Sequence, residues 1–578
     1  MVTRQHSICS SLTKANNHLV STPKDVTGVE SQTHTLTTAS ISLLLHWIRE
    51  CSNKHEPCRE LGGAIRQRDL PRPSRLVEVG NSHEPLVRLC YTKNIPVTQG
   101  SLKYTTLSHC WGNFPITRLL QDNHDSFLQS IDYNSLSKTF QDAIRVTRSI
   151  GIRYIWIDSL CIIQNSEEDW AIESQRMEGI YSSSYLNIAA GHAADGRSGL
   201  DIERDCRSLT PLVVNLSSDF PIKNQHDRYV CVEFGLWGRE VLKCPLASRA
   251  WVAQERFLSP RTIHFASSQI FYECPGLCAC ESYPRGLPTA VAAIDPRMKL
   301  YSRSDLDLMK NPAFEFVSRM WIGFVEDYSR MALTKQADKL IAIAGIARRI
   351  ASWIATDDSD TEYSAGVWTL IRGRMDMTQL LWIQLRQTPK LSSRLWRAPS
   401  WSWASVDGAV THNHSDFTDS GAKGRCASIH HRVKMNLIDH TPFGRVRGGI
   451  LQLQGSLIPV RLRLDRHHCD PYSIIARGRE MIDKYDLTAK IWRFSISVSH
   501  RQDGPCVLVP VFLYYQYRGS NELLYAMMGL ILSRVDQSPK GMAEVTTNGL
   551  YRRIGTFYTI IGWYLTIKEA RRRKKLLI

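Results

Sequence analysis

The sequence lacks a hydrophobic run long enough to cross a bilayer, which takes roughly 18 to 20 apolar residues in a row. Its nearest approach is the stretch 554–567, which Gly555 and Gly562 interrupt. We predict a pair of buried strands there and no membrane span. The N-terminus also lacks the charged-then-apolar pattern of a secretory signal, so we expect a cytoplasmic protein.

Cysteine is present but lacks regular spacing. The 578 residues include 15 cysteines at scattered positions, whereas secreted domains that depend on disulfides are short and rich in cysteine. We therefore predict reduced thiols without a disulfide framework, which agrees with a cytoplasmic location.

Acidic residues are too few to balance the basic ones. The chain has 55 acidic and 72 basic residues, a formal net charge of +17. The basic residues are spread out, except in the tail at 568–575. This balance favours anionic partners, including a nucleotide, and does not indicate a nucleic-acid site. We expect the tail to be a solvated chain end; nuclear entry and contact with an anionic surface remain alternatives.

Cofactor signals are absent or incomplete. The sequence has no internal repeat and no glycine-rich phosphate loop of the standard kinds, so we predict no resident cofactor. Two groups of soft metal ligands occur, namely Cys51, His55 and Cys58, then His264, Cys274, Cys278 and Cys280. The first group lacks a fourth ligand at a convincing spacing, and the short gap between Cys278 and Cys280 makes tetrahedral ligation awkward. We predict free thiols and no metal.

The chain does contain a block at 104–190 in which three strand-like segments alternate with two helical patterns. Such alternation predicts an α/β fold, a parallel sheet flanked by helices. Before it we expect a mobile leader at 1–38 and an extension with a hairpin at 39–100. After it, shorter alternating segments predict β-rich insertions, and a C-terminal α+β region follows at 291–560.

Polar side chains gather where the first two strands of this block end. They are Ser108, His109, Cys110, Trp111, Gly112 and Asp158. Because open α/β sheets bind ligands at the carboxyl ends of their strands, these residues predict a substrate-binding site. Trp111 is either a stacking platform or a cover over the sheet edge. Asp158 either shapes the pocket or accepts hydrogen bonds from the amides of the next loop.

The second helical pattern places a carboxylate on an apolar stripe formed by Trp170, Glu173, Met177 and Ile180. A buried carboxylate is costly unless it is paired or used. Glu173 therefore either lines a pocket or meets a core arginine such as Arg145 or Arg249.

Two further interpretations concern the neighbours of these candidates. Cys110, His109 and Asp158 would suit a cysteine hydrolase, but adjacent residues of an extended chain point to opposite sides, which disfavours contact between thiol and imidazole. Glu168 and Glu178 fall outside the apolar stripe of the helix, so we expect both at the surface.

Four segments in order resemble the hallmark motifs of the fungal heterokaryon incompatibility (HET) domain, at 104–112, 154–164, 169–190 and 248–274. The resemblance extends over most of 45–557 through Cys51, His55 and Cys58 and through segments at 328–340, 397–408 and 551–557. It implies a HET domain at 101–290, and it leaves the basic tail at 561–578 as particular to this chain.

The resemblance implies a fungal protein of non-self recognition and programmed cell death, with partners through self-association or an incompatibility counterpart. HET domains are also similar, remotely, to Toll/interleukin-1-receptor (TIR) domains, some of which cleave NAD with a helical glutamate shortly after a tryptophan. Trp170 and Glu173 are similar in kind, at a spacing of three instead of four. Two alternatives follow, a signalling adaptor in which Glu173 is structural, or an NAD glycohydrolase in which Glu173 is catalytic and NAD is the substrate.

Overall fold

The computed structural model of the chain forms two compact units, Met1–Asp307 and Leu308–Ile578. The residues that it describes are 33–81, 86–96, 102–209, 213–215, 228–230, 233, 235–288, 314–354, 361–370, 377–385, 396–412, 432–439, 441–464, 472–476, 479–481, 492–496, 504–518, 522–534, 551–561 and 571–577. Most of the predicted leader and part of the predicted hairpin turn therefore lie outside the described residues.

Within the described residues, the first unit is built on one mixed sheet of eight strands. These are β1 (Arg75–Glu78), β2 (Arg88–Tyr91), β3 (Thr105–Ser108), β4 (Tyr154–Trp156), β5 (Leu186–Ala189), β8 (Thr262–Phe265), β9 (Ile270–Cys274) and β10 (Leu277–Cys280). A separate hairpin pairs β6 (Val213–Asn215) with β7 (Arg228–Val230). The sheet order is β10-β9-β8-β5-β3-β4-β1-β2.

Strands β4, β3, β5 and β8 are parallel to one another, and the outer strands are antiparallel. The α/β class is thus confirmed, with a sheet that is mixed rather than wholly parallel. The predicted hairpin is also confirmed, because β1 pairs with β2 from Arg75 opposite Tyr91 to Glu78 opposite Arg88. Strands β3, β5 and β8 are buried at every position, as strands covered on both faces must be.

Helices connect the parallel strands. Among the described residues, the helices of the first unit are α1 (Thr38–Asn53), α2 (Glu56–Gln67), α3 (His124–Gln129), α4 (Lys138–Ser149), α5 (Asp158–Cys161), α6 (Glu167–Ser182) and α7 (Ala250–Leu258). Across the sheet the parallel strands follow the order β4, β3, β5, β8. Numbered by their order in the chain, this is 2-1-3-4, the flavodoxin-like arrangement. After β3 the chain continues to β4 on one side, and after β5 it continues to β8 on the other side. The point where the strand order reverses, here called the switch point, therefore lies between β3 and β5.

Local sequence signals set the ends of the two crossover helices. The Ser137 hydroxyl accepts a hydrogen bond from the Phe140 amide at the start of α4, and the Ser166 hydroxyl accepts one from the Asp169 amide at the start of α6. After α4, Gly151 has a φ of +74°, a conformation that suits glycine just beyond a helix end. The structure confirms the predicted helix ends at Gly151 and Ser166.

The second unit combines helices and strands in the described residues. Its helices are α8 (Phe314–Ser329) and α9 (Ile341–Ile354), and its short strands are β11 (Thr361–Ser364), β12 (Val367–Leu370), β13 (Trp382–Gln384) and β14 (Val410–His412). Its larger sheet contains β15 (Arg432–Leu437), β16 (Val446–Leu464), β17 (Tyr472–Ala476), β18 (Arg479–Met481), β19 (Trp492–Ile496), β20 (Gly504–Arg518), β21 (Glu522–Arg534), β22 (Tyr551–Ile561) and β23 (Arg571–Leu577).

Two predictions for the C-terminal part, the buried strands at 554–567 and the solvated basic tail, can be compared with the structure. Strand β22 covers the first part of the apolar stretch at 554–567, and no helix among the described residues has the length and hydropathy to cross a membrane. The basic tail was predicted to be a solvated chain end, which is wrong for its backbone, because β23 pairs antiparallel with β16. Part of the tail backbone therefore forms hydrogen bonds with a partner strand.

Candidate functional site

The candidate site lies at the carboxyl ends of β3 and β4, next to the switch point. Ser108 ends β3, and its hydroxyl donates to the Asn187 side chain of β5 at 3.2 Å. His109 follows Ser108, and its Nε2 lies 3.7 Å from Asp158 Oδ1 at the start of α5. The fold therefore brings Ser108, His109 and Asp158 together from separate strand ends, as the sequence predicted for a ligand site.

Asp158 holds both its own loop and the indole of Trp111. Its Oδ1 accepts a hydrogen bond from the Ser159 amide at 2.7 Å, and its Oδ2 accepts one from Trp111 Nε1 at 2.9 Å. Trp111 remains half-buried. The carboxylate thus accepts from a loop amide, as one alternative proposed, and also fixes an indole at the edge of the sheet.

His109 is buried in an apolar setting. Its ring packs edge-on against Phe140 with 5.0 Å between ring centroids, and burial lowers its pKa to about 4. The imidazole is therefore neutral at physiological pH. Its Nε2 forms no hydrogen bond with any described residue, and its backbone carbonyl accepts one from Arg249.

Cys110 points into a different environment from His109. Its thiol belongs to an apolar cluster with Ala189, Leu246 and Val252, and burial raises its pKa to about 11. A protonated thiol is a poor nucleophile, and the neighbouring imidazole packs against Phe140 instead. This placement weighs against a cysteine hydrolase.

Gly112 has a structural requirement of its own. Its φ is +60°, and a Cβ atom built on it would lie 2.4 Å from the Cβ of Asp195 and 2.8 Å from the carbonyl oxygen of Ala194. The loop after β3 can therefore approach residues 194–195 only without a side chain at this position.

We expect Gly112→Ala to lower the free energy of unfolding by about 2 kcal/mol, from positive-φ strain together with overlap. Gly151→Ala is the matched control, because Gly151 also has a positive φ but a Cβ added there would meet no atom within 4 Å; it should cost about 1 kcal/mol. Urea unfolding followed by tryptophan fluorescence measures both. Equal losses would show that the close approach to Asp195 has no energetic weight.

Glu173 is fully buried and already paired. Its Oε1 lies 3.0 Å from Arg176 Nη1, and its Oε2 accepts a hydrogen bond from the Ser74 amide at 3.3 Å. The predicted partners Arg145 and Arg249 were wrong. Arg176 takes that place because residues three apart share one face of a helix. Arg145, on α4, instead donates to the Leu36 carbonyl.

The position of Glu173 follows from the strand next to it. Ser74 precedes β1, which runs antiparallel to β4, so the start of β1 lies at the sheet edge where β4 ends. Glu173 therefore lies at the same edge as the site, but on the β1 side of β4. Trp170 is half-buried in edge contact with Trp251 of α7, at 6.3 Å between ring centroids.

Glu178 does not match its prediction. It was expected at the surface, but it is 3% exposed and lies 2.6 Å from Arg68. The segment before β1 covers this part of α6, since a Cβ on Gly179 would lie 2.0 Å from the Pro71 carbonyl oxygen. Glu168 is exposed, as expected.

Glu255, on α7, is a candidate that the sequence patterns did not single out. It is 6% exposed, and burial raises its pKa to about 7, while the positive charge of Arg249 opposes that rise. The side chains of Ser108 and Tyr181 also lower the pKa of its carboxyl group. Glu255 therefore joins Ser108 at the end of β3, beside the switch point. In sequence it resembles any acid of a short amphipathic helix, so only its burial identifies it.

The structure groups the candidate metal ligands differently from the sequence. Cys274 lies with Cys51, His55 and Cys58, although its position in the sequence grouped it with His264, Cys278 and Cys280. His264 Nε2 is 3.2 Å from Glu273. Cys278 and Cys280 are buried in an apolar cluster with Trp237 and Phe271.

A family model matches the central part of the first unit. Residues 104–255 match the model of the family described as Heterokaryon incompatibility protein (HET). The match begins one residue before β3 and ends at Glu255, so it spans the strand ends described above. Searches of curated proteins and of solved structures returned no match. The chain therefore carries a heterokaryon incompatibility (HET) domain at residues 104–255.

Proposed function

We propose that this protein acts in non-self recognition and cell-death signalling in a fungal cell, through its HET domain. The family match over residues 104–255 carries the proposal. We further propose that the parallel core is TIR-like, which the flavodoxin-like strand order supports. The cytoplasm is the proposed location, with nuclear entry through the basic tail as the alternative.

The contacts of Glu173 favour an adaptor over an enzyme that uses this residue. Its Oε1 pairs with Arg176 on the same helix, and its Oε2 accepts the Ser74 amide and so fixes α6 to the segment before β1. A carboxylate held this way contributes to the fold and has little freedom to meet a substrate. In this proposal the domain signals by self-association or by binding an incompatibility counterpart.

Expression of the full chain in a fungal host tests the proposal. We expect induction to arrest growth and admit a dye that only dead cells take up. Gly112→Ala, which weakens the loop after β3, should reduce this effect, and Gly151→Ala should reduce it less. Normal growth at an accumulated level of folded wild-type protein, in strains that carry different incompatibility alleles, would refute the signalling role.

One observation favours NAD cleavage as a second candidate function. Glu255 is a buried carboxyl group with a pKa of about 7, placed at a strand end beside the switch point, where α/β sheets bind nucleotides. When deprotonated it would stabilise the positive charge that develops on the ribose as the nicotinamide bond breaks, by the same electrostatic logic as glycoside cleavage. Ser108, Asp158 and Trp111 would shape the pocket.

Nicotinamide release from NAD by the purified full chain tests this candidate. We expect Glu255→Gln to lower the rate by roughly a hundredfold or more if the group acts in acid-base or electrostatic catalysis. Glu173→Gln tests the original assignment, and the exposed Glu168→Gln is the control. A large loss of rate in Glu173→Gln alone would assign the catalytic role to Glu173 instead. If the wild type releases no nicotinamide, NAD cleavage is refuted and the adaptor function remains.

A further inference from the structure

Four soft ligand atoms meet outside the site described above. The thiols of Cys51, Cys58 and Cys274 and the imidazole of His55 lie with their ligand atoms within 4.8 Å of one another. His55 Nδ1 is 3.3 Å from Cys274 Sγ and 3.8 Å from Cys58 Sγ. In a tetrahedral zinc site the corresponding edges are roughly 3.5 to 3.8 Å, given zinc bonds of about 2.3 Å to sulfur and 2.0 Å to nitrogen.

The fold brings these ligands from three elements. Cys51 lies near the end of α1, His55 is the N-cap residue of α2, and Cys58 lies in the first turn of that helix. Cys274 is the last residue of β9, 219 positions after His55. That distance along the chain is why no spacing pattern could reveal the fourth ligand.

Packing around the cluster holds α1 against β9. Trp47, one helical turn before Cys51, stacks on Tyr272 of β9 with 5.5 Å between ring centroids. Its indole Nε1 also donates to the Pro284 carbonyl at 2.7 Å. The ligand-bearing end of α1 therefore has a fixed position relative to Cys274, two residues after Tyr272.

The surroundings of two ligands also suit a metal. Arg261 Nε donates a hydrogen bond to Cys51 Sγ at 3.1 Å. Three thiolates and a divalent cation carry a net charge of −1, which the guanidinium would offset. A Cβ on Gly276 would lie 2.7 Å from the Cβ and Cγ of His55, so the β9–β10 turn leaves this imidazole little room to turn away.

We propose that Cys51, His55, Cys58 and Cys274 bind one zinc ion. Three thiolates and one imidazole form a ligand set that selects zinc, and four protein ligands leave no open position for a substrate. The site is therefore structural. It fastens α1 and α2 to β9, and so joins segments that lie on both sides of the residues matched by the HET family. Bound thiolates thus replace the free thiols that the sequence spacing predicted.

Metal analysis of the purified full chain tests the site. We expect roughly one zinc ion per chain in the wild type and a loss of most of it in Cys58→Ser and Cys274→Ser. Cys90→Ser is the matched control, because Cys90 lies outside the cluster and its thiol donates to the Leu76 carbonyl; it should keep its zinc. Cys58→His should also retain metal, since imidazole is a zinc ligand.

A second measurement covers ligand variants that fail to fold. Chelation of zinc from the wild type should lower its melting temperature, and added Zn²⁺ should restore it. Co²⁺ added in place of zinc should give the absorption of tetrahedral thiolate coordination. A wild type that binds neither ion under reducing conditions would overturn the proposal. So would full zinc content in Cys274→Ser, or a disulfide among these cysteines in freshly purified protein.

Discussion

Replacing Arg204 with methionine is expected to lower the free energy of unfolding of the first unit by about 3 to 5 kcal/mol, because it leaves a buried carboxylate without its cation. The side chains of Arg204 and Glu281 are 1% and 4% exposed. Arg204 Nη2 lies 2.8 Å from Glu281 Oε1, and the Ile270 amide donates to Oε2 at 2.9 Å. The Ser40 hydroxyl donates to the same carboxylate, so the ion pair also holds the start of α1.

The chain supplies a close control three residues away. Arg207 pairs with Asp205 at 2.8 Å, but these side chains are 88% and 53% exposed. Exposed ion pairs contribute little to stability, so Arg207→Met should leave the unfolding transition unchanged. Replacing both partners, as Arg204→Met with Glu281→Gln, should recover part of the loss. Calorimetry of the full chain measures the change, and equal transitions in the Arg204 and Arg207 variants would refute the expected role of burial.

Local sequence patterns were enough to predict the central α/β block. The apolar spacing of α4, the cap residues Ser137 and Ser166 and the helix-ending Gly151 act within a few residues of the chain. Such interactions depend on the backbone nearby, and a sequence displays them directly. The candidate strand ends followed from the same logic, since residues after parallel strands must meet at one edge.

The parts that could not be predicted depend on contacts between distant segments. Cys274 joins His55 across 219 positions, and no local pattern records that pairing. Glu178 looked like a surface acid because the helical stripe shows one buried face, whereas the segment before β1 covers a second. The low pKa of His109 and the raised pKa of Glu255 arise from burial, which the surrounding fold decides.

The prediction for Glu173 was correct in the type of its partner, an arginine, but wrong in the residue. The sequence indicated that a buried carboxylate needs an arginine, and the structure contains one. The predicted partners lay on other elements, whereas Arg176 stands one turn later on the same helix. The Arg176 side chain is partly exposed, so the pattern of buried positions did not mark it as a core residue.

Glu255 should make the stability of the first unit fall as the pH rises from about 5 to 7. Its pKa is about 7 in the folded chain and 4.5 as the ordinary value. Over this interval the folded state keeps a proton that the unfolded state releases, so the folded state binds more protons and rising pH favours unfolding. The difference corresponds to roughly 3 kcal/mol, and it is fully lost once the pH exceeds the folded pKa.

Replacing Glu255 with glutamine should remove this dependence, because glutamine resembles the protonated acid and cannot ionise. The variant should match the wild type near pH 5 and exceed it in stability near pH 8. Calorimetric unfolding at pH 5, 6, 7 and 8 measures the difference, and the exposed Glu168→Gln should follow the wild type throughout. A constant difference between Glu255→Gln and the wild type would mean that Glu255 stays charged beside Arg249. A permanently charged Glu255 could still stabilise positive charge on a ribose, but it could not act as a proton donor near neutral pH.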